Sequence, residues 1–84
     1  MNLVFDIETN GLLYNVTTVH CLAIHDLETK ETLAYNDTGN QEPIVRGIQR
    51  LADADCIIGH NILSYDIPVL KKLYGWFDCP ASRI

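Results

Sequence analysis

The apolar run Met1–Phe5 (MNLVF), which passes straight into Asp6-Ile7-Glu8, does most to limit what this chain can fold into. A run this short and this rich in strand formers reads as a buried strand, and Asn10-Gly11 then breaks the chain in a polar loop. A buried strand needs hydrogen-bonded neighbours. Val19–His25 (VHCLAIH) and Thr32–Tyr35 (TLAY) are two further strand-like runs, joined through the polar stretch 26–31 as a hairpin with a longer loop.

Past the loop Asn36-Asp37-Thr38-Gly39-Asn40 the apolar period changes from that of a strand to that of a helix. Pro43 suits a first helical turn, where its missing N–H costs nothing. Ile44, Ile48 and Leu51 then recur at i, i+4 and i+7, with Arg46, Gln49 and Arg50 left for solvent. Cys56-Ile57-Ile58-Gly59 predicts a short buried strand whose glycine permits a close backbone approach. A second helix follows, with Ile67, Leu70, Leu73 and Tyr74 as its stripe, Pro68 in or near its first turn and Gly75 at its end. The order is strand, hairpin, helix, strand, helix, an α/β arrangement over residues 1–84.

An 84-residue chain that is 48% apolar and 20% charged has ordinary globular composition and room for one modest core. No apolar run approaches the roughly 18 residues of a membrane span, and no basic leader precedes an apolar stretch, so a cytoplasmic location without a membrane partner is expected. Cys21, Cys56 and Cys79 lack zinc or CxxC spacing and read as free thiols in a reducing compartment, the first two as small core hydrophobes. Eleven acidic against six basic residues give a net charge of −5. That balance argues against coating duplex DNA, since such affinity comes from Lys and Arg displacing counterions. It leaves open a site where carboxylates hold cations that in turn hold phosphate.

Asp6 and Glu8 are spaced for that role. In extended backbone, alternate side chains leave on one face roughly 6.5–7 Å apart, with Ile7 on the other. Two such carboxylates repel unless a proton or cation intervenes, and hard oxygen ligands beside phosphate suit Mg²⁺ or Mn²⁺. The same pair, taken alone, also reads as solvated acids at a strand end. In Gly59-His60-Asn61-Ile62-Leu63-Ser64-Tyr65-Asp66 another acid follows a second buried strand and opens a helix. Asp66 alone also reads as a capping residue, Asn61 as a turn residue, and His60 as a packed imidazole with no partner at ligand spacing.

Together, FDIETNGLL and the later GHNILSYDIPVLKKL resemble the first two motifs of the DEDD 3′–5′ exonuclease superfamily, with the hairpin-then-helix of a ribonuclease-H-like fold between them. They look most like the proofreading domain at the N-terminus of phage family-A replicative DNA polymerases. The resemblance implies a ribonuclease-H-like mixed sheet and two-metal hydrolysis, with two Mg²⁺ or Mn²⁺ ions, at the 3′ end of single-stranded DNA. It implies that Asp6, Glu8 and Asp66 are catalytic and metal-binding: Asp6 bridges both ions, Glu8 holds the nucleophile-side ion and Asp66 supports the other. It places Thr9 and Leu12 at the terminal nucleotide, and Asn61 and Tyr65 where the scissile region is contacted or Asp66 is oriented.

The family's third motif supplies a fourth carboxylate and a Tyr or His that orients the attacking water. After the second helix only Asp78 remains, so the expectation is a C-terminally truncated, partial exonuclease domain over residues 1–84, impaired alone. Its open side should expose Ile67, Leu70 and the Trp76-Phe77 pair, to be covered by a second chain or a host protein. The alternative is a non-catalytic phage regulator or inhibitor that binds a host protein through the same scaffold. Lys71-Lys72 reads as a solvated face, and Arg46 and Arg50 permit a small basic patch.

Overall fold

The computed structural model describes residues 1–37, 42–60, 62–80 and 84. Strand β1 (Asn2–Thr9) lies inside a mixed four-stranded sheet of order β3-β2-β1-β4. Strands β2 (Val19–Asp26) and β3 (Thr32–Tyr35) continue from it as an antiparallel meander, and β4 (Cys56–Ile58) pairs with its other edge in parallel. Helix α1 (Ile44–Asp53) connects β3 to β4, and α2 (Ile67–Leu73) follows β4. This is the element order expected from the periodicity. Among the described residues no helix is long and apolar enough to cross a membrane.

The pleat of β1 sorts its side chains cleanly. Leu3, Phe5 and Ile7 are buried, opposite Asp26, Ile24 and Leu22 of β2. Helix α1 lays Ile44, Ile48 and Leu51 into this layer, and Ile67, Val69 and Leu70 of α2 join the same apolar cluster. Gly47 is the point of closest approach: a Cβ there would stand 2.5 Å from Leu22 Cδ2 and 2.9 Å from the Tyr35 ring. The alternate residues Asp6, Glu8, Ala23 and Ile58 remain exposed on the opposite side of the sheet.

Several expectations are corrected. β1 does not stop at Asp6, because β2 continues to pair with it as far as Thr9↔Val19, so both acids sit within a central strand. The register shifts between Glu8 and Thr9, which leaves His20 as the extra residue of a β-bulge. Arg50 is not left for solvent: its guanidinium donates to the Tyr35 hydroxyl at 3.1 Å and to Asp26 at 3.3 Å, so no Arg46–Arg50 patch forms. Pro43 stands at the N-cap rather than in the first turn, and Asp37 Oδ1 accepts the Ile44 N–H from outside the helix.

Cys21 and Cys56 are only half-buried, whereas Cys79 is buried. The tail explains the last point. Phe77 N–H donates to the Tyr74 carbonyl at 2.8 Å, turning the chain back so that Phe77 and Cys79 enter the core. Ile67, Leu70 and Phe77 are therefore buried rather than exposed, and only Trp76 of that group stays outward, edge-on to Tyr74.

Replacing Gly47 with Ala should lower stability even though it raises helix propensity, since the added methyl meets Leu22 and Tyr35. A loss on the order of 1–3 kcal/mol in urea unfolding is expected, as for overpacked cores. An unchanged or higher midpoint would show that α1 does not seat this closely.

Candidate functional site

Parallel pairing of β4 with β1 decides where the second acidic motif lands. The register is Asn2↔Cys56, Leu3↔Ile57 and Val4↔Ile58. It is anchored at its start, where the Asp55 N–H donates to the Met1 carbonyl at 2.9 Å and the terminal amine bonds the Asp55 carboxylate. At the other end Gly59 passes close to β1: a Cβ would collide with Ile62 Cγ2 and stand 3.0 Å from the Phe5 carbonyl oxygen. The expected close approach of Gly59 is thus observed.

Beyond Gly59 the chain does not enter an α-helix directly. Ile62–Asp66 form one π-helical turn that leads into α2. Pro68 has no N–H to offer the carbonyl four residues before it, so the regular α ladder cannot begin earlier. The wider turn rotates Asp66 inward, to 5% exposure. Asp66 stands at the N-cap of α2 with αR backbone angles and makes no capping bond, which removes the capping alternative. Its Oδ2 is buried without any hydrogen-bond partner.

Burial first, and the neighbouring charge of Asp6 second, push the Asp66 carboxyl up to about 6, while His60 opposes them. Asp6 and Asp66 are therefore electrostatic neighbours, with His60 facing the same carboxyl. Glu8 lies two residues along β1 on the face that carries Asp6, exposed. Among the described residues no group of three His, Cys, Asp or Glu side chains is gathered closely enough to hold a metal ion. Asn61 lies outside the described residues.

The other expected site residues organise the loop that follows β1. The Tyr65 hydroxyl donates to the Gly11 carbonyl at 2.5 Å and lies 2.5 Å from the Thr9 hydroxyl, which reaches the same carbonyl at 3.0 Å. Both side chains are thus engaged in holding the loop. Leu12 is 61% exposed at the loop surface. Three side chains here make contacts that had no signal in the sequence. Asn10 Oδ1 accepts the N–H groups of Thr17 and Thr18, Asn15 Oδ1 accepts that of Leu12, and the Lys72 ammonium donates to the Leu13 carbonyl at 2.9 Å. Lys72 is therefore not merely solvated.

A family model described as RNase_H superfamily matches residues 3–83. The chain is 37% identical over 71 residues to a DNA-directed DNA polymerase of Escherichia phage T7. It is 36% identical over 72 residues to a DNA-directed DNA polymerase of Enterobacteria phage T3. Each match covers 84% of this chain and 10% of the polymerase, so the chain spans about a tenth of the length of these relatives.

The Asp66 environment has a definite pH signature. With a folded value near 6 and an ordinary unfolded value, the folded state binds a proton that the unfolded state has released between about pH 4 and 6. Stability from this group is complete below that window and lost as pH rises through 6. Asp66→Asn should therefore stabilise the protein at pH 7.5, on the order of 2 kcal/mol, and match the parent near pH 3.5. Urea titrations at both pH values test this; a destabilised Asp66→Asn at pH 7.5 would contradict it.

Proposed function

The chain belongs to the RNase_H superfamily, and on that premise we propose that residues 1–84 form part of a 3′–5′ exonuclease domain that removes nucleotides from the 3′ end of single-stranded DNA by divalent-metal hydrolysis. The observation that supports this reading best is the buried, partnerless oxygen of Asp66 beside the charge of Asp6. A structural acid so placed only destabilises the fold, whereas a hard cation would offset both burial and repulsion. The donor chemistry suits Mg²⁺ or Mn²⁺, since Asp6, Asp66 and Glu8 offer carboxylate oxygens alone: Asp6 and Asp66, electrostatic neighbours already, would hold an ion between them, and Glu8 would join them by turning its side chain toward it.

When bound, such ions lower the pKa of an attacking water and offset charge on the leaving 3′ oxygen. The chain's own groups do the rest. Thr9 meets the terminal nucleotide through its backbone, its hydroxyl being engaged with Tyr65. Leu12 offers the apolar surface against which a terminal base is held, and Asn61 contacts the scissile region. Tyr65 fixes Gly11 and Thr9 relative to the turn that carries Asp66. The acidic excess argues against coating duplex DNA, and a frayed or single-stranded end can enter a narrow site beside Leu12.

A second reading draws on the solvent-facing side of the sheet, where Ala23 and Ile58 are exposed and Val4 and Cys21 half-buried. There the chain meets another protein, either one that completes the nuclease domain or a host protein that it regulates without cutting. Metal dependence separates catalysis from pure contact. With a 5′-labelled single strand and Mn²⁺ or Mg²⁺, we expect slow stepwise shortening from the 3′ end that falls below detection in Asp6→Ala. Added metal should also raise the melting temperature of the parent but not of Asp6→Ala. Neither cutting nor a metal-dependent shift would leave the contact reading in its place.

A further inference from the structure

We propose that Tyr14 is a base-stacking residue, held by the loop after β1 so that a nucleobase near the 3′ end of a single strand lies against its ring. The proposal rests on the exonuclease reading and adds to it a residue that the motif resemblance does not assign. Tyr14 is 80% exposed, the most exposed of the large apolar side chains, and Leu12 two residues before it is 61% exposed. Between and beyond them the loop turns inward, with Leu13 half-buried against the core and Val16 at 1% exposure. Outward placement of the aromatic is thus fixed by inward anchoring on both sides.

Hydrogen bonds hold the loop at its base and across its turn. Val16 and Asn15 N–H groups donate to the Leu12 carbonyl at 2.8 and 3.0 Å, and Asn15 Oδ1 accepts the Leu12 N–H at 2.7 Å. Asn10 closes the base of the loop onto Thr17 and Thr18, and the hydroxyls of Tyr65 and Thr9 tie Gly11 to the turn that carries Asp66. A ring offered on a preorganised loop loses little entropy when a partner stacks on it.

Charge selects the partner. Residues 10–18 (NGLLYNVTT) contain no acidic or basic residue, in a chain of net charge −5. A cation does touch this loop: the Lys72 ammonium meets the Leu13 carbonyl next to Tyr14. A neutral, aromatic surface with one adjacent ammonium suits a base stacked on a ring with its phosphate near a cation, and the loop leaves β1 directly after Glu8 and Thr9. Lys72 is a positioning residue here: it holds the carbonyl that precedes Tyr14.

NMR titration of the 84-residue chain in Mg²⁺ tests this. The probe is (dT)4 whose 3′-terminal linkage is a phosphorothioate; the control is the same oligonucleotide lacking its two 3′ bases. Upfield shifts of the Tyr14 ring protons are expected with (dT)4 and not with the control. Tyr14→Ala should raise Kd for (dT)4 about tenfold and leave the control unchanged, since base–aromatic stacking is typically of this size. Tyr14→Phe should bind like the parent, and Lys72→Met should weaken (dT)4 binding severalfold with recovery in Lys72→Arg. Equal affinity of Tyr14→Ala and parent for (dT)4 overturns the stacking role and leaves the exonuclease reading intact. No shift anywhere in the parent overturns both.

Discussion

Three residue pairs of parallel sheet, Asn2↔Cys56, Leu3↔Ile57 and Val4↔Ile58, hold the two halves of the candidate site together. They set the strand that carries Asp6 and Glu8 beside the turn that carries Asp66, with the Tyr65 hydroxyl as a second tie, to Thr9 and Gly11. The seam works against a force of its own making, because it brings Asp6 and Asp66 within reach of each other's charge. Its reinforcements lie at its two ends. The terminal amine and Met1 carbonyl are tied to Asp55, and Gly59 lets the chain pass the Phe5 carbonyl. Packing of Ile57 against the apolar cluster supplies the burial that so short a strand cannot obtain from hydrogen bonds alone.

Two buried aspartates show how differently one residue type is used. Asp26, at 6% exposure, accepts N–H groups from Glu28 and Thr29 and meets the guanidinium of Arg50. Those donors, the Glu28 N–H foremost, hold its carboxyl below the usual range, so it supports the fold at neutral pH and ceases to do so in acid. Asp66, at 5% exposure, has one oxygen with no donor at all and is shifted the opposite way. The first is consumed by structure. The second retains coordination capacity, and that contrast is why Asp66, rather than acidity in general, points to chemistry.

Sequence pattern revealed the fold because burial follows period: Leu3, Phe5 and Ile7 alternate, and Ile44, Ile48 and Leu51 recur at helical spacing. It misplaced the end of β1 because Asp6 and Glu8 look like loop residues, while strand length is set by the partner β2. It missed the π-helical turn, which arises from Pro68 acting on residues before it. Arg50 and Lys72 were misjudged, and the burial of Cys79 went unread, for a common reason. Each finds its partner or its burial through tertiary folding, which no local window contains. For the site, residue types were legible as oxygen donors, whereas the meeting of Asp6 with Asp66 depends on a crossover that only the folded chain displays.

The brevity of β4 also bears on when the candidate site comes together. The β1–β2–β3 meander is built from contacts between near neighbours in sequence, whereas β4 docks only after a helix has closed a long loop. Contact order favours the hairpin forming before the crossover, and amides of β4 should exchange with solvent sooner than those of β2. Release of that strand would loosen the turn that carries Asp66 from the strand that carries Asp6, so the meeting of the two acids rests on a strand of three residues.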